Sequence, residues 1–233
     1  DTKKIKRVSE AEAEAEKTKI IKRAEGSYEA MEILSRASKR FALEQYNKQI
    51  NLENIIVKTR DELTGKKVSD EPVDKDWASR FMYIAQDVSR EDMQKLLSKI
   101  LAEEIKKPNT FSLKTLDFVK NLSKGDLILF KKIAIISCDG EIFLTKDSVS
   151  GGFSNISYIE ILKMIEVGFI QSSMTSVLKF TDVKPDKTLT FIFKSGICIF
   201  NSTQDQKEIS LPILMLTQIG KELVTLIELK TDD

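Results

Sequence analysis

The sequence predicts a mainly α protein with an α+β C-terminal part: a long N-terminal helix, a helical bundle and a winged-helix-like C-terminal module. Three observations carry this. Residues 1–63 are helix-forming throughout. Residues 74–137 repeat apolar side chains at helical spacing, with capping residues between the runs. Near Cys138 the pattern changes to β-branched and aromatic runs separated by turn residues. The expected division is 1–63 as a long helix with coiled-coil character, 64–137 as a helical domain and 138–233 as the α+β module.

The N-terminal helix changes character along its length. Glu10 to Lys17 (EAEAEAEK) has no apolar face and is expected to be solvated. From Ile20 the apolar positions are Ile20, Ala24, Tyr28, Met31, Leu34, Ala37 and Phe41, a mean step of about 3.5 residues as in a coiled coil. The phase then slips, and Leu43, Tyr46, Ile50 and Val57 continue on another face. Two readings stay open: a self-association helix, or a long helix lying on its own domain.

Thr64 to Val73 is a polar loop with Gly65 and Pro72. Asp74 is the expected N-cap of a helix with Trp77, Phe81, Ile84, Ala85 and Val88 on one face. Ser89-Arg90-Glu91-Asp92 resembles a capping box, ahead of the stripe Met93, Leu96, Leu97, Ile100, Leu101 and Ile105. Pro108 and Asn109 end that helix. Ser112 caps the next, with Leu113, Leu116 and Val119 inward, and Ser123 with Asp126 opens a fourth over Leu127, Phe130 and Ala134. The expected core is Trp77, Phe81, Leu97, Ile100, Leu101 and Leu116.

Beyond Cys138, Asp139-Gly140 and Ser150-Gly151-Gly152 mark turns. Ser157 and Glu160 form a capping box on a short helix that stops at Gly168. Strands are expected at Met174–Phe180, Thr188–Phe193 and Gly196–Phe200, and a helix at Leu216–Leu229. A short helix ending in Gly-Phe-Ile, a β-ribbon and a final helix is the order of a winged-helix-like module.

Charge narrows the functions. The whole chain carries +1, but residues 1–60 carry +4, residues 61–135 carry +1 and residues 136–233 carry −4. DNA affinity comes largely from cations meeting phosphates, so the negative module argues against nucleic acid as its partner. No Lys/Arg cluster sits on Tyr158 to Glu166. The basic groups Lys3, Lys4, Lys6, Arg7 and Lys17, Lys19, Lys22, Arg23 are interspersed with glutamates and suit a solvated helix. The two cysteines, Cys138 and Cys198, sit far apart in apolar surroundings, as buried free thiols of a reducing cytoplasm do. No apolar run reaches the ~18 residues that span a bilayer, and no signal peptide is visible. The chain opens at Asp1 inside helical sequence, so an upstream segment is expected, and any membrane attachment would depend on it.

Four segments, Gln49–Ile55, Pro72–Trp77, Ser89–Leu122 and Leu216–Leu223, together resemble the bacterial domain-of-unknown-function 2806 family. The likeness covers most of the chain from about Phe41 onward. It implies a bacterial or prophage source, with stress response or phage defence as an associated role, and supplies no activity and no catalytic residues. Relatives begin with a glycine-containing apolar segment ahead of the Ala-rich helix, which this sequence lacks.

The chain contains no histidine, which removes the common catalytic triads and most zinc sites. Glu103 and Glu104 diverge by about 100° on a helix, and are expected on a solvated face. Asp70, Glu71, Asp74 and Asp76 crowd one loop without calcium-loop spacing. Trp77, Phe81, Phe111 and Phe118 suit a core better than a pocket. Gln49, Asn51 and Asn54 either bridge helices or face water. The expectation is therefore a non-enzymatic interaction protein with no catalytic, cofactor or metal residues. It would be a cytoplasmic homo-oligomer, peripheral to a membrane if an upstream segment anchors it, and would associate through Ile20, Ala24, Tyr28, Met31, Leu34 and Phe41. The alternatives are a nucleic-acid-binding regulator acting through the winged-helix-like module and a membrane-associated effector.

Overall fold

A computed structural model describes residues 2–138, 141–143, 156–172, 176–184, 188–193, 196–201 and 205–227. The chain divides into two compact units, 1–50 and 51–233. Helix α1 (Thr2–Leu63) runs through that division.

In the first unit α1 is a single helix whose described side chains are almost all exposed. The i, i+4 ion pairs Arg36–Glu32 and Lys48–Glu44 lie along it at 3.4 and 2.7 Å. Such pairs stabilise a helix by only a few tenths of a kcal/mol.

In the second unit the last turns of α1 join a bundle with α2 (Lys75–Ala85), α3 (Glu91–Lys106), α4 (Leu113–Val119) and α5 (Lys124–Ile135). Asn51, Ile55 and Thr59 fall at i, i+4 and i+8, which puts them on one face. Ile55 is buried, and Thr59 Oγ1 donates to the carbonyl of Ser98 on α3 at 3.4 Å. Asn51 bridges helices: its Nδ2 donates to Gln86 O at 2.9 Å and its Oδ1 accepts from Gln94 at 3.5 Å. Asn54 and Gln49 are exposed.

The caps follow the sequence in four places out of five. Asp74, Ser112, Ser123 and Ser157 each accept from the backbone N–H three residues on, and Ser123/Asp126 and Ser157/Glu160 are complete capping boxes. The box expected at Ser89 does not form. Helix α3 begins one residue later, with Arg90 as its N-cap and no side-chain cap bond. Arg90 instead pairs with Asp92 at 2.7 Å and donates to Leu122 O.

Trp77, Phe81, Leu97, Ile100 and Leu116 are buried in one core, with the Trp77 and Phe81 rings stacked at 5.3 Å. Phe111 joins them, and Phe118 is partly buried against Phe169. Leu101 is only partly buried. The buried face of α3 runs through Met93, Leu97, Ile100 and Glu104, which leaves Leu101 on its flank.

The α+β part starts with β1 (Ser137–Cys138) and β2 (Glu141–Phe143), followed by α6 (Tyr158–Val167). Then come β3 (Ser176–Val183), β4 (Thr188–Phe193), β5 (Gly196–Asn201), β6 (Gln206–Met215) and α7 (Gln218–Val224). One antiparallel sheet has the order β1-β2-β6-β3, and β4-β5 form a separate hairpin. The returning strand β6 lies between β2 and β3, and the β4–β5 hairpin falls between β3 and β6 along the chain. A second apolar cluster holds Cys138, Leu189 and Phe191, flanked by Leu178, Phe180, Ile209 and Leu211. Cys138 is buried. The side chain of Cys198 lies outside the described residues.

Two differences from the expected elements have local causes. Strand β6 is not among the runs expected from sequence. Pro212 interrupts it, and a proline lowers the strand reading of any run. In the structure Pro212 lies opposite Val177, next to the end of the β2 pairing at Phe143↔Ile213. The final helix is also shorter than Leu216–Leu229. Leu216 is engaged in a β-bridge with Ile170, and Thr217 caps the helix. The expected continuation to residue 229 passes outside the described residues at 228. The turn at Ser150-Gly151-Gly152 lies outside them too.

Candidate functional site

Three places hold side chains that are candidates for function: two exposed apolar faces and a pair of buried carboxylates. The first is the stripe on α1. Ile20, Tyr28, Met31, Leu34 and Phe41 are 62–66% exposed. Ala24 is exposed as well. Burying a large apolar side chain is worth about 1.5–3 kcal/mol, so each of these forgoes much of that gain in the single chain. The residues after the phase slip, Leu43 and Tyr46, are equally open.

The second place is the outer face of α6. Ile161 and Met164 face the core, and Tyr158, Ile159 and Leu162 are exposed, Ile159 to 77%. Two of the three charges of α6, Glu160 and Lys163, pair with α5. Lys163 pairs with Asp126 at 3.4 Å, and Lys132 of α5 pairs with Glu160 at 2.9 Å. Each capping-box carboxylate thus serves its own helix end and binds a lysine of the other helix. Both carboxyls titrate below their ordinary range. For Asp126 the leading cause is the Ser123 hydroxyl, followed among the favourable ones by the Ser123 N–H and Lys163. For Glu160 it is the Ser157 backbone N–H, followed by Lys132.

The third place is a pair of buried carboxylates. Glu104 is 1% exposed. Its Oε1 accepts from the N–H of Asn109 at 2.7 Å, and its Oε2 from Thr110 and Phe111 at 3.0 and 2.9 Å. The loop after α3 turns back through Asn109, at φ 68°, to present these donors. Asparagine tolerates that left-handed conformation better than most residues. Glu222 on α7 meets the other end of the loop. It accepts from Ser112 N at 2.9 Å, Thr115 Oγ1 at 2.6 Å and Gln218 Nε2 at 3.0 Å. The two glutamates pin one loop between α3, α4 and α7. Every donor they meet belongs to the fold, so they hold structure rather than a ligand.

Glu104 overturns the solvated reading of the Glu103-Glu104 pair. Glu103 does face outward and pairs with Lys106, while its neighbour is buried. Glu222 also escaped the sequence reading, although it stands in LTQIGKEL. Composition and spacing do not separate a buried glutamate from an exposed one. The available signal was the run of N–H donors that a tight loop leaves behind a helix end.

Of the other candidates, Asp74 is engaged as a cap and Ser69 accepts from Glu71 N, so that loop's polar groups serve the turn. Among the described residues no group of three His, Cys, Asp or Glu has metal-holding geometry. A small void lined by Ile133, Ile142, Ile161 and Leu214 is apolar and gives a ligand nothing to hydrogen-bond. No helix among the described residues is long and apolar enough to cross a membrane.

These features define a mainly helical protein with an α+β C-terminal part and an exposed apolar stripe on its long N-terminal helix. The chain belongs to the family described as a protein of unknown function (DUF2806), whose model matches residues 35–142 and 140–233. No curated protein and no solved structure matches it.

Proposed function

We propose that the protein is a non-enzymatic assembly protein in which α1 binds a second copy of the chain and the α+β module docks a protein partner. The observation that carries this reading is the stripe Ile20, Tyr28, Met31, Leu34 and Phe41, exposed at a mean step of about 3.5 residues. Five side chains, each about two-thirds exposed, offer roughly 1 kcal/mol apiece, so two copies gain on the order of 10 kcal/mol. Association costs ~4–15 kcal/mol in lost freedom. The pairing is therefore weak to moderate and concentration-dependent.

For the module, docking a protein fits better than docking DNA. The outer face of α6 is led by Tyr158, Ile159 and Leu162, and its Lys163 is already paired with Asp126. Free cations aimed at phosphates are what DNA binding requires. Multi-angle light scattering at tens of micromolar tests the association: a dimer or larger species is expected, and a monomer throughout removes the proposal.

A further inference from the structure

We propose that two copies pair antiparallel along α1, with Met31 opposite Leu34, Ala24 opposite Phe41 and Arg23 opposite Glu44 of the second copy. This rests on the self-association reading above and adds orientation and register to it.

One helix face carries the seam. From Ile20, steps of four and three residues alternate through Ala24, Ser27, Met31, Leu34 and Ser38 to Phe41. At about 100° per residue these positions fall within an arc of about 100°, and all of them are exposed. Arg23 and Glu44 stand beside that arc, each about 80° from its neighbouring seam residues and on the same side. Turning the second helix end for end keeps this flank on one side of the seam. Arg23 of one copy then reaches Glu44 of the other, as flanking charges do in a coiled coil.

Size decides the orientation. Parallel and in register, each seam residue meets its twin: Phe41 crowds Phe41, while Ala24, Ser27 and Ser38 face only small partners. Gaps of that kind lose contacts outright. Antiparallel about the midpoint of Met31 and Leu34, those two pack on each other twice at the centre. Ala24 lies under Phe41 toward both ends, and Ser27 and Ser38 share the layer between, where their hydroxyls can bond each other. Large opposite small is how facing layers interdigitate. Charge then decides the register. Arg23 has no ion pair among the described residues. Glu44 binds Lys48 through Oε1 and leaves Oε2 open. Sliding one heptad toward the N-terminus sets Glu44 against Glu16 and Phe41 against Lys17; sliding the other way sets Ala24 against Lys48. A parallel pair puts Arg23 beside Tyr28 and Glu44 beside Gln49, so its flanks bring no opposite charges together.

The test is a charge swap in the full chain, read by sedimentation equilibrium at about 0.1 M salt, where the Debye length is about 10 Å. R23E and E44R each turn both symmetry-related pairs from opposite to like charge. Each variant alone should dimerise about fivefold more weakly than wild type. The double variant R23E/E44R, and the heterodimer formed on mixing the two single variants, should match wild-type affinity. Positions 23 and 44 lie about 30 Å apart on one helix, so recovery cannot arise within a chain or in a parallel pair. Both positions are exposed, so folding is not at stake, and unchanged far-ultraviolet circular dichroism checks it. If each variant dimerises as tightly as wild type, or the double variant and the mixture fail to recover, the antiparallel register is wrong while association stands. A wild-type chain that stays monomeric removes both.

Discussion

Replacing Glu104 with alanine should unfold this protein far more readily than replacing its neighbour Glu103. The carboxylate of Glu104 is 1% exposed and accepts three backbone N–H bonds at 2.7–3.0 Å. Leaving a buried donor without a partner costs about 1–3 kcal/mol, and bonds to a charged acceptor are the stronger kind. Asn109 is exposed, and water can replace the carboxylate there; Phe111 is buried and water cannot. Counting Phe111 in full and Thr110 in part gives a loss of roughly 3 kcal/mol. For a chain of this size that lowers the melting temperature by about 6–12 °C. Glu104→Gln should fall between, since an amide keeps one acceptor but turns its NH2 toward donors. Urea titration and thermal melts followed by circular dichroism read the effect directly. Glu103→Ala, removing only a solvent-facing partner of Lys106, should stay within about 0.5 kcal/mol of wild type. Equal effects at the two positions would refute the latch.

Other outcomes follow from the same geometry. Gly220→Ala should destabilise by about 1–3 kcal/mol despite alanine's better helix propensity, because its Cβ would stand 2.5 Å from Phe169 O; an unchanged melt would contradict that close approach. Asp126 and Glu160 have lowered folded-state pKa values, so their contribution is present above the ordinary carboxylate pKa and lost as pH falls through the lowered values. The α5–α6 pairing should therefore weaken only below about pH 4, and D126N/E160Q should flatten that acid limb of the stability profile. Full-length protein should show no sub-micromolar binding to duplex DNA at physiological salt; a mobility-shift titration saturating below that concentration would reject protein docking by the module.

Much of the fold was legible because its signals are local. A capping residue and the N–H three positions on belong to the same few residues, and Ser112, Ser123 and Ser157 could be read without tertiary knowledge. Gly168 likewise ends α6 at φ 98°, where glycine is at ease. Strand β6 was not legible, since its pairing partners β2 and β3 are distant in sequence and Pro212 obscures it. The place of Leu101 on the flank of α3 depends on where α1 and α2 sit, which spacing does not encode. The glutamate latches were hidden for the same reason: Glu222 meets Ser112 and Thr115 from more than a hundred residues away. The α1 stripe was visible as a period, whereas the exposure of Met31 and Leu34 was not, because a period does not say what covers a face.

The most direct measurement of the central claim is the mass of the full chain in solution, taken by light scattering from about one to one hundred micromolar. The account predicts a concentration-dependent rise from 26.5 kDa toward twice that value. It also predicts that M31E/L34E holds the mass at the single-chain value with an unchanged melt, because both side chains are about two-thirds exposed in the single chain. A wild-type mass fixed at 26.5 kDa across the whole range, or a dimer indifferent to M31E/L34E, would contradict it.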